Sequence, residues 1–144
     1  MISINNTKDK TKDIVKTYSK KNKRITYIDL EKGGKGYAIT QAFKQIVKEV
    51  YDLIGFVDAD MSTSPEAFFD LIRSSKGYDG AIASRYLAGA KVDPKQKVQR
   101  IIVSRIYNFF IRATFMMTFR DTQCGSKLFS KNQVENVLPK LTLS

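Results

Sequence analysis

The 144-residue chain contains no histidine, and that absence alone removes a large part of enzyme chemistry. Ser-His-Asp and Cys-His nucleophilic catalysis fall away, as does histidine-bound zinc. Acid–base work is left to Asp, Glu, Lys or Tyr. A single cysteine excludes an internal disulfide and leans towards a reducing interior. A long uncharged apolar run is also missing. The most lipophilic stretch, Ile101 to Phe119, carries Arg105, Asn108 and Arg112 and makes a poor spanning helix. The first residues are polar and lysine-rich, which is not the pattern of a secretory leader. There is no internal repeat and no low-complexity linker.

Acidic side chains are scarce too: 14 Asp and Glu face 25 Lys and Arg, a net charge of +11. Such a balance favours polyanionic partners, whether nucleic acid, anionic lipid headgroups or a diphosphate ligand. Apolar content of 42% and charged content of 27% are ordinary for a soluble globular protein. The length fits one domain, residues 1–144, with room for a core.

The most telling stretch is Leu53-Ile54-Gly55-Phe56-Val57-Asp58-Ala59-Asp60. Its apolar run without alternation predicts a short strand buried on both faces. Two carboxylates at i and i+2 then end it; on a strand they point the same way and can converge on one cation. Two solvated carboxylates at a strand end are the plain alternative. Ser62-Thr63-Ser64-Pro65 supplies cap and first-turn residues for a helix to Ser74.

Elsewhere, residues 1–5 and 24–30 read as strands, and 10–21 and 37–51 as amphipathic helices. Tyr78 to Ser84 reads as a further strand. The alternation of strand and helix predicts an α/β, mostly parallel sheet with crossover helices. Leu87 to Pro94 reads as a loop, and Lys95 to about Thr118 as one long helix with Arg105, Asn108 and Arg112 on one stripe. Asp121 to Phe129 reads as a loop entering a short strand. Ser130-Lys131-Asn132-Gln133 caps a last helix that Pro139 stops.

Three more segments have the residue types for phosphate chemistry. Gly33-Gly34-Lys35-Gly36 is either a flexible turn or a cradle whose N–H groups approach an anion; the Walker A spacing is absent. Arg85, in Ser84-Arg85-Tyr86, is a surface arginine or a bidentate diphosphate ligand at the same sheet edge as Asp58 and Asp60. Asp121-Thr122-Gln123-Cys124-Gly125-Ser126-Lys127-Leu128-Phe129 is, by itself, a capped turn with a buried Cys124.

Taken in order, these segments resemble family 2 glycosyltransferases. Val57-Asp58-Ala59-Asp60 is similar to their D-x-D motif, Gly34-Lys35-Gly36 to a G-K-G turn, and Ser84-Arg85-Tyr86 to the G-S-R-Y turn of polyprenyl-phosphate sugar transferases. Asp121 to Phe129 closely resembles the D-T-Q-C-G-x-K-x-F segment of dolichyl-phosphate glucosyltransferases and mannosyltransferases. The resemblance implies a Rossmann-like GT-A fold and hexose transfer, with inversion, from UDP-glucose or GDP-mannose to a polyprenyl or dolichyl phosphate. It implies Mg²⁺ or Mn²⁺ held by Asp58 and Asp60. Gly34, Lys35, Asp58, Asp60, Arg85 and Arg100 become donor-binding residues; as catalytic residues, Arg85 stabilises charge on the leaving diphosphate, and Asp121 orients the acceptor or acts as base. Arg105 and Arg112 on an apolar helix suit an element at an anionic membrane, peripheral on the cytoplasmic face.

The likeness is incomplete. A strand ending P-x-x-N-E, expected first in the family, has no counterpart, so a fragment lacking that strand is expected; its open sheet edge favours self-association. Where relatives carry D-D-G-S-x-D-x-T, this chain has Ile4-Asn5-Asn6-Thr7-Lys8-Asp9-Lys10-Thr11, and only Asp9 and Thr11 match. Two rivals follow: an inactive remnant of the fold serving as a binding module, and a basic nucleic-acid module. The latter rests on charge alone, because the lysines are spread along helices and no nucleic-acid motif occurs.

Overall fold

Strand and helix do alternate along the chain. The structure, a computed structural model, describes residues 1–87, 89, 90 and 98–141. These divide into two compact units: Met1–Ile54 with the segment from Ser130 onwards, and Gly55–Phe129.

In the first unit, β1 (Ile2–Asn5) and β2 (Tyr27–Leu30) pair in parallel, Ile2 opposite Tyr27 and Asn5 opposite Leu30. The crossover between them is α1 (Thr11–Lys21), started by Asp9, whose carboxylate accepts the Thr11 N–H at 2.8 Å. Lys12 on α1 pairs with Asp29 on β2. Alternate strand residues Ile4 and Ile28 are buried with Val15 of α1. Next comes α2 (Lys35–Ile46), burying Ala38, Thr40 and Phe43. It begins two residues earlier than its pattern predicts and stops five short, at Ile46 rather than Tyr51. Val50, 99% exposed, has no helical inner face to occupy.

The second unit is built on a three-stranded sheet of order β3-β5-β4, from β3 (Leu53–Val57), β4 (Gly80–Ile82) and β5 (Ser126–Ser130). β4 and β5 are antiparallel, with Ala81 opposite Leu128. β5 also opposes β3, since Gly55 lies against Leu128 while the Asp58 N–H reaches the Gly125 carbonyl at 3.0 Å. β3 and β4 therefore run the same way, as the α3 (Pro65–Ser74) crossover requires, and β5 is inserted against them. α3 starts as predicted: Pro65 is its first residue and the Ser64 hydroxyl accepts the Ala67 N–H at 3.2 Å. The expectation that β3 is covered on both faces does not hold in this chain. Ile54 is buried, but Leu53 is 38% and Val57 45% exposed.

α4 (Val98–Phe115) is the long helix; its predicted first residues, 95–97, lie outside the described residues, as does most of the loop before them. Its orientation corrects the predicted stripe. Arg105 and Arg112 are exposed, whereas Asn108 is buried together with Ser104. The helix thus turns a polar pair inwards and presents Ile102, Val103, Ile106, Phe109 and Phe110 outwards. After β5, α5 (Lys131–Val137) is capped by Ser130 and closes in a 3-10 turn, Leu138–Lys140, that contains Pro139.

Candidate active site

Asp58 and Asp60 lie beyond the end of β3, in a turn, so strand alternation does not set their directions. Each is held differently. Asp58 is half-buried, and its backbone N–H continues the β3–β5 ladder to Gly125. Asp60 is exposed, and its Oδ1 accepts the Ser62 N–H at 3.0 Å, with Met61 between them at φ 59°. That local bond stabilises the turn.

Gly125 explains why the D-x-D strand and the D-T-Q-C-G loop go together. A Cβ added to Gly125 would fall 2.5 Å from the carboxyl carbon of Asp58 and 3.2 Å from its Cβ. The Asp58 carboxylate fills the space any other residue's side chain would need. Only glycine allows the approach.

The other half of the site is a buried ion pair. Arg85, just after β4, donates from Nε to Asp121 Oδ2 at 2.8 Å and from Nη2 to Oδ1 at 2.9 Å. Its backbone N–H adds a third bond to Oδ2 at 3.1 Å. The Asp121 side chain is wholly buried and that of Arg85 is 23% exposed. Burial by itself raises the Asp121 carboxyl, but the Arg85 side chain, its N–H and its charge, with the Gln123 N–H, outweigh it. The net result is a carboxyl below its ordinary range. The Arg85 guanidinium is raised in turn, chiefly by its hydrogen bond to Asp121 and against its own desolvation.

This pairing changes the predicted division of labour. Asp121 stays ionised and engaged on Arg85, which suits a positioning group better than a base. Arg85 gives two of its five guanidinium donors to Asp121. It also lines a groove of about 560 Å³ with Gln99, Arg100, Val103, Ser104, Tyr107 and Gln123. The two arginines singled out from the sequence, Arg85 and Arg100, therefore share one groove. Gly34 and Lys35 belong to the first unit. There Gly34, at φ 123°, is the N-cap of α2, a conformation that suits glycine, and no side-chain cap bond is made to that helix among the described residues.

Further hydrogen bonds tie the Arg85 and Asp121 segments to Ser104 and Asn108 of α4, two residues outside the family motifs. The Tyr86 hydroxyl donates to Ser104 Oγ at 2.8 Å, and Ser104 Oγ lies 3.4 Å from Gln123 Oε1. Asn108 Oδ1 accepts from both the N–H and the hydroxyl of Thr122, at 2.9 and 2.7 Å. Lys127 Nζ donates to the Thr122 carbonyl at 3.1 Å. The signal for Ser104 and Asn108 was present, since polar side chains inside an otherwise apolar helix need partners. Their direction was not legible without knowing which face is covered.

As a cation site, Asp58 and Asp60 supply oxygen donors of the kind Mg²⁺ and Mn²⁺ prefer. No group of three or more potential metal ligands occurs among the described residues. Two carboxylates fit an ion whose remaining ligands are phosphate oxygens and water, the usual arrangement for Mg²⁺ at a nucleotide.

The family model for glycosyl transferase family 2 matches residues 1–138. Glycosyltransferase AglD of Haloferax volcanii is 30% identical over 131 residues, which is 88% of this chain and 20% of that protein. The chain thus spans about a fifth of the length of that relative.

Proposed function

The chain belongs to glycosyl transferase family 2 and carries its α/β, GT-A-type fold; from that premise we propose that residues 1–144 form part of one inverting hexosyltransferase domain. The donor is a nucleotide diphosphate sugar, UDP-glucose or GDP-mannose, and the acceptor a polyprenyl or dolichyl phosphate. The observation that carries this reading is the joining of Asp58, Gly125, Asp121 and Arg85 in one unit, with Arg85 and Arg100 lining one groove.

Asp58 and Asp60 would hold Mg²⁺ or Mn²⁺ at the donor diphosphate. When bound, the ion neutralises charge that develops on the leaving diphosphate. Arg85 and Arg100 present guanidinium donors to phosphate oxygens from the groove wall. Asp121 fixes the Arg85 fork. An acceptor that is already a phosphate anion needs little help from a base, which agrees with a chain lacking histidine. Lys35 and Gly34 are assigned to donor binding on the family motif alone.

The outer face of α4 supports a lipid acceptor. Ile102, Val103, Ile106, Phe109, Phe110 and Phe115 are all more than half exposed. Arg100, Arg105, Arg112 and Arg120 are interspersed with them, and no acidic residue occurs from 98 to 120. An apolar face with only cations suits a peripheral position on an anionic leaflet, assigned here to the cytoplasmic side. No helix among the described residues is long and apolar enough to cross a membrane.

The test is transfer itself. The chain, Mn²⁺, radiolabelled UDP-glucose or GDP-mannose and a short polyprenyl phosphate in detergent micelles should yield organic-extractable label from one donor. Donor binding with no lipid product from either would overturn the acceptor assignment. Failure to bind any nucleotide sugar with Mn²⁺ would favour the inactive remnant, a reading for which Ile4 and Asn5, standing where relatives have carboxylates, already speak.

A further inference from the structure

We infer that Asn108 is a positioning residue for Arg85, acting from the inner face of α4 through the Asp121–Thr122 peptide. The N–H that Asn108 Oδ1 accepts, at 2.9 Å, belongs to the peptide unit joining Asp121 to Thr122. Holding it fixes rotation about the Asp121 Cα–C bond, and so the direction from which the Asp121 carboxylate meets Arg85. The Thr122 hydroxyl, at 2.7 Å on the same oxygen, doubles the restraint.

The amide can sit only one way round. Its Nδ2 donates to the Ser104 carbonyl at 2.9 Å, which can only accept, while the Thr122 N–H can only donate. Asn108 is 3% exposed, on a helix whose phenylalanines face outwards. Burying an amide there while apolar side chains stay in solvent is costly unless its hydrogen bonds are needed. Ser104, one turn earlier, takes the hydroxyl of Tyr86, the residue after Arg85. α4 therefore grips both neighbours of the fork: Tyr86 next to Arg85 in the chain, and Thr122 next to Asp121.

This inference rests on the reading of Arg85 as a phosphate ligand only for its effect on binding, so the experiment has two arms. The first follows the Arg85 Nε–H resonance by ¹⁵N NMR of the full chain, assigned with Arg85→Lys. The second titrates Mg²⁺-pyrophosphate by calorimetry. In Asn108→Leu the slowly exchanging, Asp121-bonded Nε–H should be lost and pyrophosphate affinity should fall on the order of tenfold, with helical circular dichroism retained. Asn108→Asp keeps the acceptor for Thr122 and should keep the Nε–H signal. An unchanged Arg85 resonance in Asn108→Leu overturns the proposal. Should that variant fail to fold, Thr122→Val removes only the hydroxyl: faster Nε–H exchange is expected, and an unchanged rate overturns the proposal. Loss of the resonance with pyrophosphate affinity intact upholds Asn108 as a positioning residue and removes Arg85 as a phosphate ligand.

Discussion

Asp121 and Arg85 form a buried pair whose stability can be measured directly. The carboxylate is wholly buried and receives two guanidinium bonds and one N–H, so its removal leaves a largely buried cation without its partner. Asp121→Ala should lower unfolding free energy by about 3 kcal/mol, read by urea denaturation. The pH dependence follows from the lowered carboxyl. Its stabilisation is fully present above the unfolded value near pH 4 and is lost as pH falls through the lower folded value. Wild type should therefore lose stability on acidification more steeply than Asp121→Asn, and parallel curves would contradict the pair's role. At this scale the sequence singled out Arg85 and Asp121 but not that they pair. Arg85 read as a free fork, and the geometry gives one edge of that fork to Asp121. Gly125 read as one letter of a motif, and its reason is the carboxylate of Asp58, 67 positions away, lying where a side chain would be.

Among the elements, α4 departs most from its pattern. An apolar helix is ordinarily expected to bury its apolar residues. Here the covered stripe holds Ser104 and Asn108, because their hydrogen-bond partners Tyr86 and Thr122 lie on that side. Aromatic side chains are left outwards, among them Phe109 and Phe110, whose rings meet edge-on at 5.9 Å. Replacing both by serine should weaken partitioning onto vesicles rich in anionic lipid, read by co-sedimentation, on the order of 30- to 150-fold, the equivalent of about 2–3 kcal/mol of lost apolar contact. Binding by wild type should also weaken as salt rises. Equal binding by wild type and variant, or none by wild type, would contradict the interfacial reading. The starts of α3 and α5 were the most legible features, since Ser64-Pro65 and Ser130 carry their own capping chemistry, whereas β2 and β4 begin at Tyr27 and Gly80, not at Arg24 and Tyr78. The ends were less so. α2 stops at Ile46 although its apolar spacing continues, because periodicity records what could be buried and not what is.

At the scale of the whole molecule, the α/β order was readable from alternating apolar patterns, whereas the antiparallel insertion of β5 was not. Nothing in Ser126-Lys127-Leu128-Phe129 specifies a direction; the β4 and β3 partners do. The chemistry, likewise, was readable as residue types in order, and the structure joins three of those segments in one unit. The central claim is that Asp58 and Asp60 form the protein's share of a cation site completed by the donor. It is tested most directly by calorimetric titration of UDP-glucose and GDP-mannose into wild type and Asp60→Ala, each with Mn²⁺ and with EDTA. Binding of one donor that requires Mn²⁺ and disappears in Asp60→Ala is the predicted result. Binding of equal strength in Asp60→Ala, or undiminished by EDTA, would contradict it.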